Sequence, residues 1–256
     1  MSDILKGKNI LIMGVRNKWS IAWGIAKAAK AQGANLIFTY LGDREKESIK
    51  KLTSEMEGVA TYPCDVSNDD EIDALFAEIK REYGTLHGVV HAIAFAKSED
   101  LQDTFVNTSR DGFYTAMNIS VYSLLAVTKR AKELMTEGGS IITLTYRGSM
   151  KVYPGYNIMG VAKAALEASV RYIAHELGSN NIRVNAISAG PVKTMSAKGV
   201  KNFSDILGIV EEKSFLKRNV TLEDLGGASV FLLSDLSSGM TGEVLYIDAG
   251  YNNMGL

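Results

Sequence analysis

Tyr156 and Lys163 stand 163 − 156 = 7 residues apart in the run YNIMGVAK. Seven residues is close to two helical turns, so a helix here carries both side chains on one face. A hydrogen-bond-donating phenol beside an ammonium suits a reaction that builds negative charge on a substrate oxygen. Tyr and Lys are common residues, and a chance pairing is the alternative. The run follows SIITLTY (140–146), an apolar segment that reads as a strand. Ligands of open α/β sheets bind beyond such strand ends.

Those side chains need a scaffold, and the rest of the chain supplies one. Strand-like runs lie at 9–14, 35–40, 59–65, 87–94, 140–146, 182–189 and 243–250. Helix-like segments alternate with them: 20–33, Asp43 to Glu57, Asp69 to Tyr83, Ser109 to Met135, and the helix that holds Tyr156 and stops at Gly178. Ser20 is a plausible N-cap, Gly33 a plausible stop, and TLED (221–224) resembles a capping box that opens a late helix. The strands show little polar alternation, as in a sheet covered on both faces. The expected fold is α/β: a single-domain, Rossmann-like, doubly wound parallel sheet of about seven strands with helices on both faces.

Bulk properties narrow the function. The chain has 256 residues, 46% of them hydrophobic, enough for one large core. Its 28 basic and 29 acidic residues nearly cancel, so nothing favours nucleic acid or an anionic membrane as partner. One cysteine, Cys64, permits no internal disulfide and suits a reducing cytoplasm. The N-terminal run has no signal-peptide pattern, and GVVHAIAFA is too short to span a membrane. His87, His91 and His175 have no metal spacing, so no metal is expected. Trp19 and Trp23 read as packing residues and Cys64 as a small buried side chain.

The loop GVRNKWS joins the first strand to the first helix. It lacks the second and third glycines of the usual dinucleotide fingerprint. A small residue, Gly14, followed by a helix N-terminus still offers backbone N–H groups to a pyrophosphate, and Ser20 adds a hydroxyl. Ala22 and Gly24 would let that helix pack closely on the sheet. An ordinary turn is the alternative. Asp65, in CDV at the third strand end, can accept from an adenine amino group or cap a helix. The small residues of AIAFA at the fourth end can admit a ribose or simply fill core. Together these successive strand ends favour a dinucleotide.

At this point the chain resembles the bacterial enoyl-acyl-carrier-protein reductases, a divergent branch of the short-chain dehydrogenases. Most short-chain dehydrogenases place the Tyr four residues before the Lys, where this chain has Met159. The divergent branch has Tyr, six residues, Lys, with a second Tyr ten residues upstream, and Tyr146 stands 156 − 146 = 10 residues before Tyr156. Its nucleotide loop, Gly, five residues, Ser, matches Gly14 to Ser20. CDV, HAIAFA, SDLSSGMTGE and IDAG match as well, so the resemblance covers nearly the whole chain.

The resemblance implies reduction of an enoyl thioester carried on acyl carrier protein, the last step of fatty-acid chain elongation. It implies Tyr146, Tyr156 and Lys163 as catalytic residues, with Tyr156 on the thioester carbonyl and Lys163 on the nicotinamide ribose. It places Gly14, Ser20, Ile21, Leu41, Asp65, Val66, Ile93 and Lys163, with Val192, Lys193, Thr194, Met195 and Ser196, around the cofactor. Ala96, Tyr146, Tyr156, Phe203 and Ile206 fall to the substrate, and a lid is implied over about residues 195–212, with Gly199 and Val200 among its hinge and apolar positions. Homotetramers are usual in the family.

Departures remain. Arg147 follows Tyr146 where the family usually has Leu, and is expected to face solvent, where it could meet an acidic carrier protein. No acid stands at the second strand's tip. Asp43 opposes a 2′-phosphate while Arg44 and Lys46 attract one, and NADH is favoured over NADPH. The competing readings are a carbonyl-reducing short-chain dehydrogenase and a non-catalytic dinucleotide sensor.

Overall fold

The computed structural model describes residues 3–194 and 203–255. Its strands are β1 (Asn9–Met13), β2 (Asn35–Tyr40), β3 (Val59–Pro63), β4 (Gly88–His91), β5 (Gly139–Thr145), β6 (Ile182–Ala189) and β7 (Val244–Ile247). Its α-helices are α1 (Ile21–Ala31), α2 (Asp43–Leu52), α3 (Asp69–Tyr83), α4 (Ser98–Gln102), α5 (Arg110–Met117), α6 (Ser123–Ala131), α7 (Asn157–Leu177), α8 (Phe203–Lys213) and α9 (Leu222–Leu233). The strands form one seven-stranded sheet in the order β3-β2-β1-β4-β5-β6-β7. Every pairing is parallel. After β3 the chain crosses back past β1 to start β4, and that reversal opens a crevice beyond the carboxyl ends of β1 and β4.

The side-chain alternation of a strand explains the unbroken apolar runs. In β1, Leu11 and Met13 enter one core with Leu75 of α3, Val127 of α6 and Leu166 of α7. Their neighbours Ile10 and Ile12 enter the opposite core with Ile25 of α1 and Leu225 of α9. The edge strands β3 and β7 are only half-buried along most of their length.

Several local expectations needed correction. Gly24 does not serve packing on the sheet. A Cβ there would lie 2.8 Å from Cβ of Leu222, and one on Gly226 would lie 2.8 Å from Cβ of Ala28, so these glycines bring α1 and α9 together. Trp23 packs 6.3 Å from Phe38, but Trp19 is 52% exposed and is not a packing residue. The helical region expected over 109–135 is α5 and α6 joined by a π-helical turn, Asn118–Tyr122. The helix expected to reach Glu57 ends at Leu52, where the backbone turns to start β3. The capping box forms: the Asp224 N–H donates to Thr221 Oγ1 (3.2 Å) and the Thr221 N–H to the Asp224 carboxylate (2.9 Å).

Candidate active site

The carboxyl end of β5 and the first turns of α7 run side by side and build the centre of the site. Lys163 Nζ donates to the Leu144 carbonyl oxygen at 2.8 Å. One residue on, Thr145 Oγ1 donates to Glu167 Oε1 at 2.6 Å. The next residue, Tyr146, meets Tyr156 edge to face, with ring centroids 5.1 Å apart and planes at 70°. Consecutive residues of the strand thus pair with residues spread along one helix face. Lys163 is 6% exposed and Glu167 7%. Burial pulls the Lys163 ammonium down to about 8, against the opposing pull of Glu167, so it is a cation at neutral pH.

Tyr156 is the N-cap residue of α7, entered through a turn with Gly155 at φ 82°. Burial and then the Glu167 charge push its phenol well above the ordinary range, so it stays a donor at any physiological pH. Among the described residues none hydrogen-bonds its hydroxyl, and Leu144 O is the sole hydrogen-bond partner of Lys163 Nζ. These donors are free for a ligand. Burial, then Tyr153, likewise raises Tyr146, whose ring lies 5.0 Å from that of Tyr153. Space for the Tyr156 ring comes from Gly148: a Cβ there would lie 2.6 Å from Tyr156 Cδ1.

Two buried polar groups fix the β4 side. His91 is fully buried, with Nε2 2.8 Å from Ser123 Oγ and Nδ1 3.1 Å from Thr143 Oγ1. Ser123 Oγ also donates to the Ile119 carbonyl at 2.7 Å, and Thr143 Oγ1 to the His91 carbonyl at 3.1 Å. Burial, and then the Lys163 cation, hold His91 neutral by lowering it to about 3. On the π-helical turn, Ser120 Oγ accepts from the Phe95 N–H and donates to the Phe95 carbonyl, both at 3.0 Å. That pair of bonds pins the loop containing Ile93 and Ala96.

The expected cofactor residues lie just past the carboxyl ends of successive strands. Gly14 follows β1 at φ 94°, and a Cβ on it would lie 2.1 Å from the Ala92 carbonyl oxygen after β4. Only glycine allows that approach. Ser20 occupies the N-cap position of α1 but makes no capping bond. Its oxygen instead accepts the N–H groups of Arg16 and Asn17 at 3.0 and 3.1 Å, which corrects the capping expectation and leaves its proton to be donated outward. Ile21 is half-buried. Leu41 is exposed past β2. Asp65 accepts from the Ser67 N–H and hydroxyl through Oδ1, while Asn68 caps α3, so Asp65 is not the cap. Val66 is buried, and Ile93 and Val192 are half-buried against the two cores. Lys193 is exposed and Thr194 half-buried past β6. This cradle, with its close backbone approach and outward hydroxyl, fits a dinucleotide.

Met195 and Ser196 lie outside the described residues, as do Gly199 and Val200 of the expected lid. Phe203 begins α8, on which Ile206 is half-buried. Ala96 is half-buried beyond β4. Arg147 does not face solvent as expected. It is half-buried, with its guanidinium 5.0 Å from the Tyr251 ring and Nη1 donating to the Tyr251 carbonyl at 3.2 Å.

The model of the family described as enoyl-(acyl carrier protein) reductase matches residues 14–252. The chain belongs to that family. It is 54% identical to the NADH enoyl-[acyl-carrier-protein] reductase of Bacillus cereus, over 99% of this chain and 100% of that one. It is 53% identical to the Bacillus subtilis NADH enzyme, over 98% of each chain. The crystal structure of the Bacillus cereus reductase with NADP+ and indole naphthyridinone superposes with a TM-score of 0.98 at 54% identity, covering 100% of both chains. The Anaplasma phagocytophilum enzyme in complex with NAD gives 0.94 at 47% identity, covering 100% of this chain and 96% of that one.

In this family member, some of the site was not singled out from the sequence. Gly148 and Ser120 act through long-range contacts that leave no local pattern. Asn157, at φ 40°, ties the start of α7 to the α4 region by donating to the Asp103 carbonyl at 2.8 Å. Its identity was a usable signal, because Asn tolerates the left-handed region better than most residues. Glu167 was also missed, although a carboxylate one turn after Lys163 on an apolar helix face is visible in the sequence.

Proposed function

We propose that this chain is an NADH-dependent enoyl-[acyl-carrier-protein] reductase that saturates the trans-2 double bond of an acyl thioester. The observation that carries the reading is the unpartnered Tyr156 hydroxyl, set against Tyr146 at the end of β5 and on the same helix as the buried Lys163. The Bacillus relatives bear this name with NADH. A bound nicotinamide supplies the hydride to C3 of the enoyl group. Charge then moves onto the thioester oxygen, where the Tyr156 O–H donates. That bond strengthens as the enolate forms, so it lowers the barrier more than it favours the ground state. The Lys163 ammonium would hold the nicotinamide ribose hydroxyls and add positive potential beside the enolate, which a proton delivered from solvent to C2 would convert to the saturated thioester. Tyr146 lines the acyl site and orients Tyr156 through its ring.

NADH is favoured over NADPH, in line with the names of the Bacillus relatives, and two of the nearby cations are engaged. Arg16 pairs with Glu45 at 3.6 Å and Lys46 lies 5.6 Å over the Tyr40 ring. A carbonyl-reducing dehydrogenase would need a phenol at position 159. Met159 is there instead, buried, with its sulfur 3.9 Å from Ser120 Oγ. A pure dinucleotide sensor has no use for free enolate-facing donors. Of the expected lid over 195–212 the described part is α8, which we assign to covering the substrate in a single reductase domain. An exposed apolar group on α5 to α6, namely Phe113, Tyr114, Tyr122 and Leu125, supports self-association as a homotetramer. Among the described residues no helix is long and apolar enough to cross a membrane, in keeping with work in the cytoplasm.

The test follows NADH and NADPH absorbance with a trans-2-enoyl thioester, using a 3-ketoacyl thioester as control. Oxidation of NADH with the enoyl substrate alone is expected. Oxidation with the ketone alone would overturn the reading, and light scattering of the purified chain checks the tetramer.

A further inference from the structure

Glu167 is a buried carboxylate that the chemistry above does not use. It is 7% exposed and accepts from Thr145 Oγ1 at 2.6 Å. One hydroxyl is thin compensation for a carboxylate taken out of water. The remaining compensation stands one helical turn earlier, where Lys163, 6% exposed, is a buried cation on the same face of α7. The two do not hydrogen-bond each other. Each is bonded to β5, Lys163 to the Leu144 carbonyl and Glu167 to the adjacent Thr145 hydroxyl. That arrangement fixes the distance between the charges and prevents their collapse into a contact pair, so the Lys163 protons stay directed to a ligand.

We infer that Glu167 is a positioning residue: its fixed negative charge keeps Lys163 in the cationic form that holds the cofactor, while its bond to Thr145 locks the end of β5 that carries Tyr146. The inference rests on the role proposed for Lys163. The other groups around this pair do not supply the charge. His91 from β4 is held neutral by burial and by the Lys163 cation itself, so it brings no charge to the pair. Tyr156 on α7 and Tyr246 on β7 are phenols raised by burial and by Glu167 itself, and Arg147 acts on Tyr246 with the opposite sign. Glu167 is the group that favours the Lys163 cation.

The experiment is the pH dependence of NADH affinity, by fluorescence titration of the full-length chain from pH 6 to 10, for wild type, Glu167→Gln and Glu167→Asp. Wild type is expected to lose affinity above about pH 8, as Lys163 deprotonates. Glu167→Gln keeps an acceptor for Thr145 but loses the charge, so its loss of affinity should start about one pH unit lower or more. Glu167→Asp keeps the charge and should restore most of the wild-type profile. A purely structural Glu167 would leave the midpoint of the Gln variant unmoved, and that result overturns the inference. A wild-type profile with no alkaline loss overturns the role of Lys163 and the inference with it. A measurement on the unaltered chain covers a variant that does not fold: the Glu167 side-chain 13C resonance must report a carboxylate at pH 7, and a protonated carboxyl there overturns the inference.

Discussion

Tyr146 and Tyr156 meet edge to face with centroids 5.1 Å apart, one at the end of a strand and the other at the start of the following helix. The contact couples the end of β5 to α7, so the Tyr156 hydroxyl is aimed by the sheet and does not depend on a loop. Such rigid placement is what a transition-state donor needs.

Removing that donor should cost rate and little else. Tyr156→Phe keeps the ring contact with Tyr146 and the space opened by Gly148. The expected outcome is a fall in kcat of roughly 10²–10³-fold, the typical loss for one oxyanion donor. NADH affinity and Tm should stay near wild type, because no described residue depends on the hydroxyl. Steady-state kinetics beside a fluorescence titration of NADH decide it. A fully active Phe variant would strip Tyr156 of its role.

Gly14→Ala tests the crevice. The new Cβ would lie 2.1 Å from the Ala92 carbonyl, and the residue sits at φ 94°, where side chains are strained. The strain alone is worth about 1–3 kcal/mol, with the clash added to it. Thermal unfolding without cofactor should show the loss, and NADH binding should weaken too. A variant with wild-type Tm would mean that β1 and β4 need not approach so closely.

How much of this was legible follows from the range of the interactions. The bounds of α3 and β6 match the sequence expectation to the residue, because their periodicity and end signals are local. The π-helical turn at 118–122 was hidden, since one wider turn leaves the apolar pattern almost unchanged and no Gly or Pro marks it. The spacing of Tyr156 and Lys163 was readable because both lie on one helix. The neighbour of Gly24 is not legible locally, since its partner Leu222 is 222 − 24 = 198 residues away. The Arg147 contact is long-range in the same way, with Tyr251 251 − 147 = 104 residues away.

Arg147 yields a stability prediction. Its charged hydrogen bond and ring contact tie the loop after β5 to the turn Tyr251–Asn253. Arg147→Leu should cost about 1–2 kcal/mol, scaled down from buried values because the group is half-exposed. At this size that is a Tm loss of roughly 2–6 °C. Because the guanidinium is committed to Tyr251, KM for an acyl-carrier-protein substrate should change less than about twofold. A large KM increase at unchanged Tm would mean that Arg147 meets the carrier protein after all.

Lys163 should make stability and cofactor binding respond to pH in opposite directions. Its folded-state value is lowered to about 8, whereas an unfolded lysine titrates at about 10.4. Between these values the unfolded chain binds more protons than the folded one, so the Lys163 contribution to stability rises with pH across that window. The slope approaches about 1.4 kcal/mol per pH unit for one proton. Below about pH 8 the buried cation carries its full cost, and that is the state proposed to hold the cofactor. Lys163→Met removes the titration. Urea unfolding of the two proteins without NADH, at pH 7, 8 and 9.5, should show the variant's stability advantage shrinking as pH rises. NADH affinity of the wild type should fall over the same interval. Parallel stability curves for the two proteins would show that Lys163 titrates at its ordinary value, and the account of its buried cation would fail.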